Sequence, residues 1–195
     1  MGICEEALQQ LDELMVEVRA LGLTDPSAAT LSTVDTYGRP SSRTILVQRF
    51  NASGFVFFTN FNSRKGRQLL ANPNASICMF WQQLRQQVLI DGEAHAVDDA
   101  DADGYWRTRT RDSQLAGWAS HQSEPLPSRA VLNERVKGAK EKFRDLHEVP
   151  RPLHWSGFLL VPRRIEFWRA GWSRLHERVC YEDSDNGWER QLLYP

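Results

Sequence analysis

Few of the residues that usually advertise a mechanism are present in this chain. Its three cysteines, Cys4, Cys78 and Cys180, are far apart and odd in number. No CxxC pair or zinc spacing exists, so neither a disulfide framework nor a cysteine metal site is expected. Isolated thiols of this kind fit a reducing compartment, and a cytoplasmic protein is expected. No apolar run approaches the roughly 18 residues of a membrane span. Glu5 and Glu6 stand where a signal peptide would need positive charge. GxSxG, HExxH, GxxxxGK[ST] and GxGxxG are all missing. Their absence argues against a hydrolase elbow, a zincin, a P-loop and a Rossmann nicotinamide domain. A net charge of -1 argues against a general nucleic-acid binder. There is no internal repeat or low-complexity tract.

Enough apolar sequence remains for a real core: 41% of 195 residues, the length of one domain with helical additions. Leu8, Leu11, Met15 and Val18 recur at helical steps within residues 3–21, with Gly22 as a C-cap. Residues 1–24 therefore read as an N-terminal helix, and 25–195 as the main domain. Strands are expected at 29–34, 43–48 and 55–59, joined by turn-forming stretches in an antiparallel meander. Ser63 is placed to cap a short helix ending before Asn72-Pro73. Further strands are expected at 76–81 and 87–96. Residues 98–120 and 128–146 read as helices, the latter with Leu132, Val136, Ala139 and Phe143 on one stripe. The last strands are expected at 157–160, 165–168, 174–181 and 188–193, with Pro162 breaking the chain between the first two. The sum is a mainly β, α+β fold: a Greek-key or meander barrel with peripheral helices.

The positive charge is chemically biased, with 20 Arg against 4 Lys, and Arg favours bidentate recognition of phosphate and carboxylate. Three clusters stand out. Arg43 with Ser63, Arg64 and Lys65 combines basic side chains with a helix N-terminus, a cradle for an anion. A solvated basic helix start would look the same. Tyr105, Arg109 and Ser113 fall on one face if 98–120 is a continuous helix; the alternative is a polar surface helix with Arg109 paired to Asp112. Arg174, His176 and Arg178 share one face if 174–181 is a strand, and His176 is a candidate proton shuttle. Two anion sites without a nucleophile or metal point to borrowed chemistry from an organic cofactor bearing a phosphate.

The ordered motifs Arg43 to Val47, Phe58 to Asn60 with Ser63 to Gly66, Arg85 to Val88, Arg109 to Gln114, Gly117 to Ser123, Val149 to Pro152, Arg164 to Trp168 and Arg174 to Arg178 resemble the pyridoxamine 5'-phosphate oxidase family. The likeness covers about residues 25–195. It implies a homodimeric split β-barrel with FMN at the subunit interface and a C-terminal dimerisation region. By this resemblance Arg43, Thr44, Ile45, Leu46, Phe58 and Thr59 hold FMN from one subunit, with Arg64, Lys65, Gln122 and Ser123. Gln87, Trp168 and Arg178 reach it from the other. The substrate's phosphate maps onto Tyr105, Arg109 and Ser113, with Gln48 where the family usually carries Lys. Arg174 and His176 would lie over the pyridine ring as the catalytic pair. The implied reaction oxidises pyridoxine or pyridoxamine 5'-phosphate to pyridoxal 5'-phosphate with O2 as acceptor. Phe58 stands where Tyr is common, Trp172 where small or polar residues are common, and the chain is expected to lack the family's longer leader. A flavin oxidase of another ring, like the phenazine-biosynthesis oxidases, is the alternative within the fold. A non-catalytic binder of FMN or pyridoxal phosphate is the alternative outside it. No metal, nucleic acid or membrane is expected.

Overall fold

A computed structural model describes residues 3–195. Nine strands form one sheet: β1 Ala28–Val34, β2 Pro40–Leu46, β3 Arg49–Asn51, β4 Gly54–Asn60, β5 Asn74–Trp81, β6 Gln86–Ala96, β7 Trp155–Arg169, β8 Glu177–Ser184 and β9 Gly187–Leu192. Their order is β2-β1-β5-β6-β7-β4-β3, with β8 and β9 attached through β7. The α-helices among the described residues are α1 Glu5–Ala20, α2 Arg64–Ala71, α3 Asp99–Thr108, α4 Arg111–Ala119 and α5 Arg129–Lys142.

Strand β7 is the hub. Its first half pairs with β4 and its second half with β8, while β6 runs along it through both. The sequence predicts two strands here, separated by Pro162. The structure keeps one, because Pro162 sits opposite a register shift at Asp91/Gly92. A bulge is where a strand tolerates a residue lacking an N–H. Gly92 is required beside it: a Cβ there would lie 2.1 Å from the Val161 carbonyl oxygen.

Helix α1 buries Ala7, Leu11, Leu14, Met15 and Val18, against the same apolar cluster as Phe55, Phe57, Ile77, Ile90 and Leu160 of the sheet. A second, smaller core of Trp106, Leu115, Ala119, Ala139, Phe143, Val149 and Trp155 lies among α3, α4, α5 and the start of β7. Ser63 caps α2 as expected, accepting from the Gly66 N–H at 3.2 Å.

Two expectations change in ways that bear on function. Residues 98–120 are not one helix: Arg109 and Thr110 adopt extended backbone between α3 and α4, and the Thr110 side chain caps the new helix at the Ser113 N–H. Residues 174–176 are not strand either. Trp172–Arg174 forms a 3-10 turn, with Ser173 (φ 52°) and Arg174 (φ 67°) both left-handed, and β8 begins only at Glu177. Arg174 and His176 therefore do not share a strand face with Arg178. The turn needs Gly171, where a Cβ would lie 1.7 Å from the Leu175 carbonyl oxygen. Strand β3 was not anticipated; three residues are too short to show alternation.

Candidate cofactor and substrate site

A cavity of about 310 Å³ opens between β2, β4 and α4, lined in part by Thr44, Ile45, Leu46, Phe58, Thr59, Lys65, Arg109 and Gln122. That size is within the range of small-molecule sites. The end of β4 and the capped start of α2 bring Thr59 and Lys65 together: the Lys65 ammonium donates to Thr59 Oγ1 at 3.2 Å and Gln122 Oε1 at 3.3 Å. Arg43 on β2 donates to Thr33 Oγ1 at 2.6 Å and Ser41 Oγ at 2.6 Å. These acceptors are neutral, and no carboxylate pairs with Arg43, Arg64 or Lys65 among the described residues. Burial lowers the Lys65 pKa, and the nearby Arg43 charge lowers it further. Burial likewise lowers that of Arg43, with Arg64 adding to it. Three like charges held without a counter-ion fit a phosphate better than a structural ion pair.

Tyr105, Arg109 and Ser113 do come together, by a different route from the one expected. The break at Arg109 folds its side chain back, so that Nη2 donates to the Ser113 carbonyl oxygen at 3.1 Å. Its guanidinium lies 4.8 Å from the Trp155 ring centre and 5.5 Å from that of Trp106, a cation–π seat. Arg109 Nε is buried without a partner. Asp112 pairs with Lys140 instead, at 3.7 Å. Tyr105 stacks on Phe58 with ring centres 4.1 Å apart, and burial raises its pKa, so it remains a hydroxyl donor. Gln48 is not among these groups. It lines a second cavity of about 320 Å³ beneath α1, together with Arg49, Asp12 and Arg19.

A third group lies across the neighbouring strands β6, β7 and β8, and none of its members lines the first cavity. Gln87 faces Trp168, and Trp168 faces Arg178 in register. Directly opposed residues share a face, so these three form one cross-strand row. The His176 ring packs on Trp168 at 4.7 Å between centres. The Gly171 N–H donates to His176 Nδ1 at 3.3 Å, so in a neutral ring the proton sits on Nε2. Ser123 adopts a left-handed backbone, φ 75°.

One residue that sequence reasoning missed organises this row. Glu166 is 2% exposed. Arg178 binds it through two bonds, Nε to Oε1 at 2.7 Å and Nη2 to Oε2 at 3.0 Å, and Arg164 binds it from the other side. Burial pushes its carboxyl up, but hydrogen bonds from Arg178 and Arg164 and their charges outweigh this and hold it below the usual carboxylate range. The signal was visible: an acid inside an apolar strand run, two residues after an Arg.

Fold and site together define a split-barrel protein with an anion-binding cleft. The profile described as pyridoxamine 5'-phosphate oxidase matches residues 14–143, and that of the pyridoxine 5'-phosphate oxidase C-terminal dimerisation region matches 155–195. The chain belongs to the pyridoxamine 5'-phosphate oxidase family, and its C-terminal match supports a homodimer. It is 47% identical over 190 residues to a pyridoxine/pyridoxamine 5'-phosphate oxidase of Myxococcus xanthus strain DK1622, covering 97% of this chain and 92% of that one. A relative of the same name from Alkalilimnicola ehrlichii is 46% identical over the full length of both. Among solved structures, PhzG from Burkholderia lata, in complex with tetrahydrophenazine-1-carboxylic acid, superposes with a TM-score of 0.91 at 31% identity, covering 97% of this chain and 92% of that one. No helix among the described residues is long and apolar enough to cross a membrane.

Proposed function

We propose that this chain is an FMN-dependent oxidase that converts pyridoxine 5'-phosphate or pyridoxamine 5'-phosphate to pyridoxal 5'-phosphate. The observation that carries it is that one cavity is lined both by Lys65, whose charge lies near those of Arg43 and Arg64 with no carboxylate pairing any of the three among the described residues, and by Arg109, which has an unpartnered buried Nε. A phosphorylated cofactor and a phosphorylated substrate would satisfy both. Relatives at 46–47% identity bearing that activity's name support the same conclusion.

The residues fit FMN. Arg43, Arg64 and Lys65 would hold its phosphate, while Thr44, Ile45, Leu46, Phe58, Thr59, Gln122 and Ser123 would frame the rest. Gln87, Trp168 and Arg178 would reach it from the partner copy, because in one chain their row lies away from the cavity. Bound FMN would supply the acceptor for a hydride from the substrate's C4' carbon, with O2 restoring it and leaving as hydrogen peroxide. The protein's share is binding and orientation. Arg109, Tyr105 and Ser113 anchor the substrate's phosphate. Arg174 and His176, presented on the tight turn after β7, orient the ring, and His176 Nε2–H offers a hydrogen bond to its substituents.

Purified protein saturated with FMN should turn over either phosphorylated substrate in air, yielding pyridoxal 5'-phosphate and peroxide together at about 0.1 per second or faster. Flavin binding with no turnover on either would move the assignment to another ring. The likeness to PhzG makes a tricyclic substrate the specific second reading; oxidation of a reduced phenazine carboxylate by the same preparation separates the two.

Replacing Arg109 tests the substrate seat. Arg109→Met keeps bulk over Trp155 but loses a charge-assisted hydrogen bond, about 1.5–3 kcal/mol. The expected result is a KM for pyridoxamine 5'-phosphate raised roughly 10- to 150-fold. An unchanged KM would take the phosphate away from Arg109.

A further inference from the structure

A substrate phosphate carries close to two negative charges at neutral pH, yet the seat formed by Tyr105, Arg109 and Ser113 holds one cation. Gln48 adds none. Another positive side chain, Arg49, shares the second cavity with Gln48 but is tied to α3, the helix that carries Tyr105. Arg49, on β3, faces Val56 in register across β4, and Val56 and Phe58, two residues apart, share a face of β4. Phe58 is the residue on which Tyr105 stacks. Arg49 therefore projects on the side of the sheet where α3 packs, and its guanidinium forms an ion pair with Asp101 of that helix. Asp101 and Tyr105 lie four residues apart within α3, so Asp101 is one helical turn from Tyr105. Arg49 is thus held on α3 one turn before Tyr105, while Arg109, in the extended break after α3, folds back toward Ser113.

We propose that Arg49 is the second cation for the anionic end of the substrate, held ready by Asp101 and released from it when a phosphate enters. The exchange is favourable in direction. The Arg49 and Asp101 side chains are 45% and 32% exposed, and ion pairs that wet contribute little. A phosphate offers Arg paired, charge-assisted acceptors in the geometry its planar fork matches. Asp101 is then a competitor for Arg49, not a ligand, and removing its charge acts in the opposite sense to removing that of Arg49. The Tyr105 hydroxyl keeps its proton and can donate to the same group.

The role of Arg49 rests on the oxidase function proposed above, and the test separates the two. FMN-loaded wild type, Arg49→Gln and Asp101→Asn are each assayed on pyridoxamine 5'-phosphate and on unphosphorylated pyridoxamine. The expected result for Arg49→Gln is about a tenfold fall in the kcat/KM ratio of phosphorylated over unphosphorylated amine, carried by KM for the phosphorylated one. Asp101→Asn is expected to raise that ratio. A ratio unchanged in Arg49→Gln, or lowered in Asp101→Asn, overturns the role of Arg49 and leaves the oxidase standing. Wild type inactive on the phosphorylated amine overturns the oxidase itself. If Arg49→Gln fails to fold, the sign of the Asp101→Asn effect decides alone.

Discussion

Lys65→Met is expected to weaken FMN binding by about 10- to 150-fold without destabilising the flavin-free protein. The first part follows from the loss of one charge-assisted hydrogen bond to a phosphate, about 1.5–3 kcal/mol. The second follows from what Lys65 touches in the free chain: Thr59 Oγ1 and Gln122 Oε1, both neutral, with Arg43 close enough to repel it. Most substitutions of a half-buried residue destabilise. This one removes a desolvated cation from beside another and leaves a side chain of similar length, so the flavin-free protein should unfold at an equal or slightly higher denaturant concentration. Titrating flavin fluorescence against flavin-free protein gives the affinity, and a urea midpoint gives the stability. An unchanged FMN affinity would mean that the cationic cluster does not hold the phosphate.

Glu166→Ala is expected to have the largest effect on stability. Breaking a fully buried ion pair by deleting one partner costs about 3–5 kcal/mol. Here the carboxylate is 2% exposed while Arg164 and Arg178 are 25% and 29% exposed, so water recovers part of the loss and about 2–3 kcal/mol is expected. For a chain of this size that lowers Tm by roughly 4–12 °C. The pH dependence has a definite sign. The folded carboxyl titrates below its ordinary value, so its contribution is fully present above the unfolded pKa of about 4.3. It is lost as pH falls through the lower folded pKa. The gap in stability between wild type and Glu166→Gln should therefore hold from neutral pH to about 5 and close in stronger acid. A gap that widens in acid would show that the network is not what the carboxylate stabilises. The same bonds fix Arg178, whose Nη1 also donates to the Tyr194 carbonyl oxygen at 2.9 Å. The loss should thus extend to FMN affinity if Arg178 serves the flavin.

The local signals in the chain translated well. Ser63 caps α2 and Ser128 caps α5, each where a side-chain acceptor stands before a helix-forming run. Leu11, Met15 and Val18 of the α1 stripe are buried as their spacing implies, with Ala7 and Leu14 added, while Leu8 is only partly buried. Three sites misled for local reasons too. Pro162 looks like a break unless a bulge receives it, and Thr110 looks like mid-helix unless its capping bond is seen. The alternation of Arg174, His176 and Arg178 is that of a strand, but Gly171 allows a turn that ends only at Glu177.

The residue types of the candidate clusters could be read from the chain alone: basic groups at a helix start, a Tyr-Arg-Ser set, and an Arg-His-Arg run. The order of those motifs placed the chain in its family. Period and capping settle which face of an element a side chain takes, because they depend on neighbours within a few residues. They do not settle which other element lies over that face. Only the tertiary structure set Arg109 over Trp155, closed Glu166 between Arg164 and Arg178, and joined Arg49 to Asp101. Each of the first and last of these contacts links residues more than 40 positions apart. The pairing of Glu166 with Arg178 depends on the register of β7 against β8. Long-range packing decides such partners, and with them which charges are neutralised and which are left for a ligand.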